Sequence, residues 1–415
     1  MTRIMKDSGI EWIGEIPTDW EVVKVKEYYN FEKGKNASKY KKETLINNGT
    51  YPVYSGQTEN DGILGYLNHY EYYKQAILIT TVGANVMTTN ILNGKYSLSQ
   101  NCVLATPKSL STNIHYINYI LILLFRYEKT RIPNYMQPSL RIEDLNKYKI
   151  VSPSLQEQEK IASILDEKVA RIDAIIADTK QSIEELKKYK QSLITETVTK
   201  GLDKDVPMKD SGIEWIGKIP ENWEVKRIGN YFYKVKNPNH NLVETNLLSL
   251  SYGNIIQKDI NTNDGLLPKN FETYNIVLPD DIVLRMTDLQ NDHKSLRTGL
   301  VGEKGIITSA YITLRVKNSN QINAAYLQKV LYTFDIKKGF YGMGNGVRQG
   351  VNFSDIKKMD IIIPPLSEQN QIVEFLDIKT EQIDQLIQGK EELIAQYEVY
   401  KKSMIYEYVT GKREI

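Results

Sequence analysis

The chain has 415 residues, 41% hydrophobic and 25% charged, with a net charge of +2. That balance fits about two to four globular domains and excludes wholesale disorder. The single cysteine, Cys102, excludes a disulfide framework and a cysteine-rich zinc site, and reads as a small buried hydrophobe. Met1–Ile10 has no apolar leader core, and the longest compact apolar stretch, Ile120–Phe125, is too short to span a bilayer. A cytoplasmic protein without membrane contact is expected. The near-neutral total hides an uneven spread. Residues 22–150 carry 16 basic and 9 acidic side chains and residues 225–360 carry 18 and 12, whereas 154–200 and 365–415 are mildly acidic. Two basic modules on acidic connectors point to a polyanionic partner, and the 28 tyrosines suit a wet, stacking surface.

In chain order, Met5–Val25 (MKDSGIEWIGEIPTDWEVVKV) is repeated at Met208–Ile228 (MKDSGIEWIGKIPENWEVKRI) with 15 of 21 positions identical. Between this motif and the next repeat, the first module offers strands at Gln75–Val82 and Ser99–Thr106 and a helix at Ile114–Tyr127. Pro153–Thr199 then pairs with Pro364–Thr410 at an offset of 211 residues, as in Glu157/Glu368, Gln158/Gln369, Asp173/Asp384 and Lys190/Lys401. Each copy reads as one long helix, entered after Pro153 or Pro364–Pro365 and stopped at Gly201 or Gly411. From Ser154 to Lys200 it would extend ~70 Å. Apolar residues spaced mostly by three and four form a coiled-coil-like seam: Ile161, Leu165, Ile172, Ile176, Ile183, Leu186 and Leu193 in the first copy, and Ile372, Leu376, Ile383, Ile387, Ile394, Tyr397 and Met404 in the second. Two such stripes in one chain can cover each other. Gly389 sits inside the second helix. The second module offers strands at Asp281–Met286 and Gly305–Val316 and a helix near Ala324–Asp335, the same order as the first.

The expected fold is therefore mixed α/β (α+β): two similar globular domains separated by a pair of long antiparallel coiled-coil helices, related by a pseudo-two-fold internal repeat. The boundaries fall at 1–150, 151–203, 204–361 and 362–415. Trp12, Trp20, Trp215 and Trp223 recur at identical places in both copies and are read as core, since a contact that confers specificity should differ between modules.

The paired motifs GIEWIGEIPTDWEV/GIEWIGKIPENWEV and SPSLQEQEKIASILD/PPLSEQNQIVEFLD, in that order along the whole chain, resemble those of the DNA specificity subunit of type I restriction–modification enzymes. The resemblance implies two target recognition domains that read a split double-stranded DNA target, with the helices setting the spacer. It also implies a chain that catalyses nothing and needs no cofactor, docked to two methylation subunits and two ATP-dependent restriction subunits, with adenine as the methylated base.

Base reading needs forked donors and acceptors on loops held by a scaffold. In the first module these are Ser55, Gln57 and Asn60; Thr81 and Asn85 around Gly83; and Tyr135, Gln137, Ser139 and Arg141. In the second they are Arg285, Thr287, Asp288, Lys294 and Arg297, and Asn345, Arg348 and Gln349 among three glycines. A phosphate loop of Walker type is missing, because neither Gly94–Lys95 nor Gly411–Lys412 is followed by Ser or Thr. Asn237–His240 only superficially resembles a methyltransferase motif. The four histidines are scattered, so no metal site is expected. Two rival readings stand beside the first: a metal-dependent endonuclease using Asp280, Asp292 and Lys294, and an assembly adaptor whose helices do not serve DNA binding.

Overall fold

The computed structural model describes all residues except 1–2, 42–43, 47, 57–58, 110, 134, 262–269, 290–295 and 344–349. The chain divides into two compact units, one of residues 1–180 with 391–415 and one of residues 181–390. Both boundaries lie inside long helices, so each unit contains the start of one long helix and the end of the other.

In the first unit, β1 (Met5–Asp7) and β2 (Glu15–Pro17) form a hairpin. Its turn is closed by Ser8, whose hydroxyl donates to the Gly14 carbonyl at 2.5 Å, with Gly9 and Gly14 in left-handed conformations. β3 (Glu21–Lys24), α1 (Val25–Tyr28), β4 (Tyr29–Lys33), β5 (Tyr51–Tyr54), β6 (Ile63–Leu67), β7 (Tyr72–Tyr73), β8 (Ala76–Thr80), β9 (Thr89–Leu92), β10 (Lys95–Leu98) and β11 (Cys102–Pro107) follow. They build two four-stranded sheets, β4-β11-β8-β9 and β6-β5-β10-β7. β8, AILIT, is buried along its whole length and forms an inner strand of the first sheet. α2 (Ile114–Thr130) is capped by the Asn113 carboxamide and packs against β8 and β9. α3 (Ile142–Leu145) and β12 (Lys149–Ser152, paired with β3) lead into α4 (Leu155–Lys200).

The second unit repeats this plan. It has the hairpin β13 (Met208–Asp210) with β14 (Lys218–Pro220), then β15 (Glu224–Arg227), α5 (Ile228–Tyr231), β16 (Phe232–Lys234), β17 (Leu247–Ser251), β18 (Asn254–Lys258), β19 (Asn275–Val277), β20 (Ile282–Leu284), β21 (Thr298–Leu300), β22 (Gly305–Ile307) and β23 (Ile312–Val316). α6 (Ala324–Ile336), α7 (Phe353–Ile356), β24 (Asp360–Ile363) and α8 (Leu366–Val409) complete it. The sheets run β16-β23-β20-β21 and β18-β17-β22-β19, matching the first unit strand for strand. Dissimilar sequences thus carry one topology. The stretch Gly305–Val316, expected as one strand, is two, broken at Thr308–Tyr311. Ser99–Thr106 likewise begins in a turn, and its strand starts at Cys102.

The seam residues are placed by burial. Ile161, Leu165, Ile172 and Ile176 share one core with Ile394, Tyr397, Met404, Trp20 and Phe125. Leu193, Ile372 and Leu376 share the other with Trp223 and Phe232. Ile183 and Ile383 are buried, and Leu186 and Ile387 are half-buried. The seam is therefore not a closed two-helix interface, because near each domain it merges with the domain core. Trp20 and Trp223 are buried, while Trp12 and Trp215 are half-buried.

Within each unit the two helices run antiparallel. In the first, Lys401 pairs with Asp173 at 2.5 Å, and the buried Tyr116 hydroxyl lies 3.1 Å from the carbonyls of Val151 and Val409. In the second, Lys190 pairs with Asp384 at 2.5 Å, and the Tyr326 hydroxyl lies near the carbonyls of Ile362 and Val198. These are the same repeat positions used twice. The repeated glutamines do the same work: Gln158 accepts from the Asn113 N–H and donates to the Pro153 carbonyl, and Gln369 does so with Asn323 and Pro364. Each helix end also docks on a repeated hairpin. Lys412 donates to the Ile13 and Glu15 carbonyls, and Lys200 to those of Ile216 and Lys218. Gly201 (φ +81°) and Gly411 (φ +70°) end the helices as expected, and a Cβ on Gly411 would fall 2.5 Å from Pro17.

Candidate nucleic-acid interface

In the first unit, loops far apart in sequence meet at one end of the β4-β11-β8-β9 sheet. Just past β8, the Thr81 N–H donates to the Asn101 carbonyl and the Thr81 carbonyl accepts from Leu140, both at 2.8 Å. Val82 bridges to Ser139. Thr81 is thereby the joint of three loops, and only 7% of it is exposed. Around this joint lie two adjoining concavities of 690 and 480 Å3. Thr81, Ser139 and Arg141 line the larger, Ser55 and Asn85 the smaller, and Ser38, Val82, Ser99, Gln100 and Asn101 line both.

Five of the expected residues are thus brought together. The Asn85 carboxamide donates to the Gly56 carbonyl at 3.2 Å, which ties two of the loops. Tyr135 and Gln137 are exposed on the segment leading to Ser139 and line neither concavity. Asn60 is exposed, in a left-handed conformation, and also lies outside both. Gln57 lies outside the described residues.

Sequence reasoning missed the cations and the turn that complete the wall. Lys33, Lys35 and Lys41 are exposed at the concavities, as are Gln100 and Asn101 in the turn from β10 to β11. Five lysines between 33 and 42 were a readable signal for a basic strip. Lys33, Lys35, Lys41 and Arg141 against Glu143 leave this surface net cationic. Cys102 lines the larger concavity but is 3% exposed, and burial pushes its thiol up to about 12. Both its burial and its raised titration work against a role as nucleophile.

The second unit repeats the joint. Val351 donates to the Met286 carbonyl at 3.2 Å just past β20. Thr287 and Asp288 are exposed and Arg285 is half-buried. Arg297, expected to reach DNA, is fully buried and its guanidinium is held by loop carbonyls, so it supports the loop from behind. Lys294, Asn345, Arg348 and Gln349 lie outside the described residues. Asp280 of the endonuclease reading sits exposed in the turn before β20 with φ +68°. Its companions Asp292 and Lys294 are outside the described residues. The neighbouring Asp281 is 1% exposed and engages Arg315 through both oxygens at 2.7 Å, a structural pair. Among the described residues no group of three or more His, Cys, Asp or Glu could hold a metal ion, and no helix is long and apolar enough to cross a membrane.

Two copies of one scaffold with different loops at the same sheet end have their counterpart in a known family. The type I restriction modification DNA specificity domain matches this chain twice, over residues 17–185 and 220–396. The chain belongs to that family. The MjaVIII type I restriction enzyme specificity subunit of Methanocaldococcus jannaschii is 27% identical over 96% of this chain and 93% of its own length. A second specificity subunit of that organism is 25% identical over 96% and 95%. A solved structure, described as the structural basis of complex assembly and conformational transition of the type I R-M system, has a similar fold. Its TM-score is 0.67 at 13% identity, over 96% of this chain and 99% of that one. The type I specificity subunit thus carries its two DNA specificity domains on one scaffold used twice. The endonuclease and adaptor readings find no support in these relatives.

Proposed function

We propose that each domain of this type I specificity subunit reads one half of a split double-stranded DNA target through the loops at the end of its main sheet, and that the long helices set the spacer between the halves. The observation that carries this is the matched topology of two domains whose loops differ in length and residues. The strands must be kept to hold the scaffold, while the loops are free to differ and so to read different bases. Phosphate contacts from Lys33, Lys35, Lys41 and Arg141 supply affinity and register, and polar loop side chains supply the choice of base. The chain itself performs no catalysis. Two methylation subunits and two ATP-dependent restriction subunits dock on it, and the target adenine is extruded into a methylation subunit's pocket.

The test shortens both helices by one heptad at repeat-equivalent positions, 176–182 and 387–393, and maps the sequences methylated by the assembled complex. One heptad is about 10 Å of helix, or about 3 base pairs at 3.4 Å each. Both half-site sequences should persist with a shorter spacer. An unchanged spacer would refute the ruler.

A further inference from the structure

We infer that Arg297 in the second domain, and Thr88 at the matching position of the first, are positioning residues that fix the backbone of the base-facing hairpin loop. This rests on the half-site reading above and names the residues that shape it.

Strand register makes the two positions equivalent. Ile79 faces Thr89 in the first domain and Leu284 faces Thr298 in the second. One residue further out, the Thr80 N–H donates to the Thr88 carbonyl at 3.0 Å and the Arg285 N–H to the Arg297 carbonyl at 2.9 Å. The connection between the two strands has eight residues in the first domain, 81–88, and thirteen in the second, 285–297, of which 290–295 lie outside the described residues.

The side chain at this position matches the loop it holds. Thr88 donates its hydroxyl to the Asn85 carbonyl at 2.9 Å and lies 3.0 Å from the Thr80 hydroxyl. One short hydroxyl suffices because the loop returns close to its own start. In the longer loop Arg297 Nη1 reaches the carbonyls of Thr287 at 2.8 Å and Arg285 at 3.3 Å, and Nη2 reaches that of Asp288 at 3.4 Å. Its Nε faces the Tyr341 hydroxyl at 3.4 Å, and its own N–H donates to the buried Asp335 carboxylate at 2.5 Å. Only a guanidinium offers five donors in a rigid fork.

The held segment needs support. Asp288 has φ +58°, a conformation that a non-glycine residue adopts at a cost. Thr287 and Asp288 nevertheless point outward, both exposed. The clamp from behind therefore fixes where two outward side chains stand.

The experiment uses the full chain assembled with its methylation partner and two duplex libraries, each with one half-site randomised. Arg297→Met keeps the stem and removes the donors, and Thr88→Val is nearly isosteric without the hydroxyl. R297M should lower discrimination at the second half-site by about tenfold or more and leave the first unchanged. R297K should recover only part, since one ammonium cannot span three carbonyls. T88V should affect the first half-site alone, and Thr88→Ser should restore it. Discrimination within twofold of wild type for R297M and T88V, or equal loss at both half-sites, overturns the inference. Should R297M fail to fold, the T88V and T88S pair decides. A wild-type complex that discriminates neither half-site refutes the half-site reading instead.

Discussion

The buried hydroxyl of Tyr116 offers a quantitative test of how each unit holds the end of the other long helix. It lies 3.1 Å from the carbonyls of Val151, in the strand leading into α4, and of Val409, the last residue of α8. The ring is 0% exposed, and burial pushes the phenol well above its ordinary value, so it is a neutral donor at any working pH. Tyr116→Phe keeps the packing and deletes the donor, which costs about 1–2 kcal/mol for a buried pair of carbonyls left without it. In a unit of this size that corresponds to roughly 2–8 °C in midpoint. Hydrogen exchange read by mass spectrometry should show weaker protection at 404–411, where Thr410 and Gly411 donate to Tyr406 and Tyr408. The second unit should keep its protection. Tyr326→Phe should do the reverse, loosening the end of α4 near Val198. A Y116F chain with unchanged melting and exchange, or with protection reduced evenly over both units, would refute this account of the helix anchor.

Removing Lys35 and Arg141 together should weaken DNA binding and flatten the slope of log affinity against log salt by about 0.9 for each phosphate no longer neutralised. An unchanged slope in a filter-binding series would exclude this face. Gly389→Ala should raise stability by up to about 1 kcal/mol in urea titration, because its Cβ meets nothing within 4 Å and the helix gains propensity. Gly411→Ala should instead destabilise the chain, since φ is +70° and Pro17 lies 2.5 Å from the new Cβ. The Cys102 thiol, raised by burial from 9.0 to about 12, makes its full contribution to stability below about pH 8.5 and loses it as pH climbs toward 12. Iodoacetamide at pH 8 should therefore leave the native chain unlabelled and label it in urea.

The repeats made the architecture readable. The hairpin motif recurs with most of its residues, the long helices recur at their seam and end positions, and their three-and-four spacing survives as burial at Ile161, Leu165, Ile372 and Leu376. What the sequence hid was local. Thr308–Tyr311 turns the chain without Gly or Pro, so two strands read as one. Ser99–Asn101 is a polar turn just ahead of the apolar run Cys102–Ala105, and Gln100 and Asn101 were absorbed into a strand. Arg297 has the side chain of a base reader, and only tertiary packing shows that its fork faces inward. Lys33 and Lys35 lie at the end of a strand and just beyond it, and they reach the site because β4 borders β11, a pairing across some seventy residues that no local pattern announces.

The claim that matters most is divided reading by one chain. Sequencing that maps modified adenines in cells carrying this chain with its methylation partner addresses it directly. The account predicts one asymmetric motif of two different half-sites separated by a gap of constant length. An uninterrupted motif, or two half-sites separated by gaps of varying length, would contradict it.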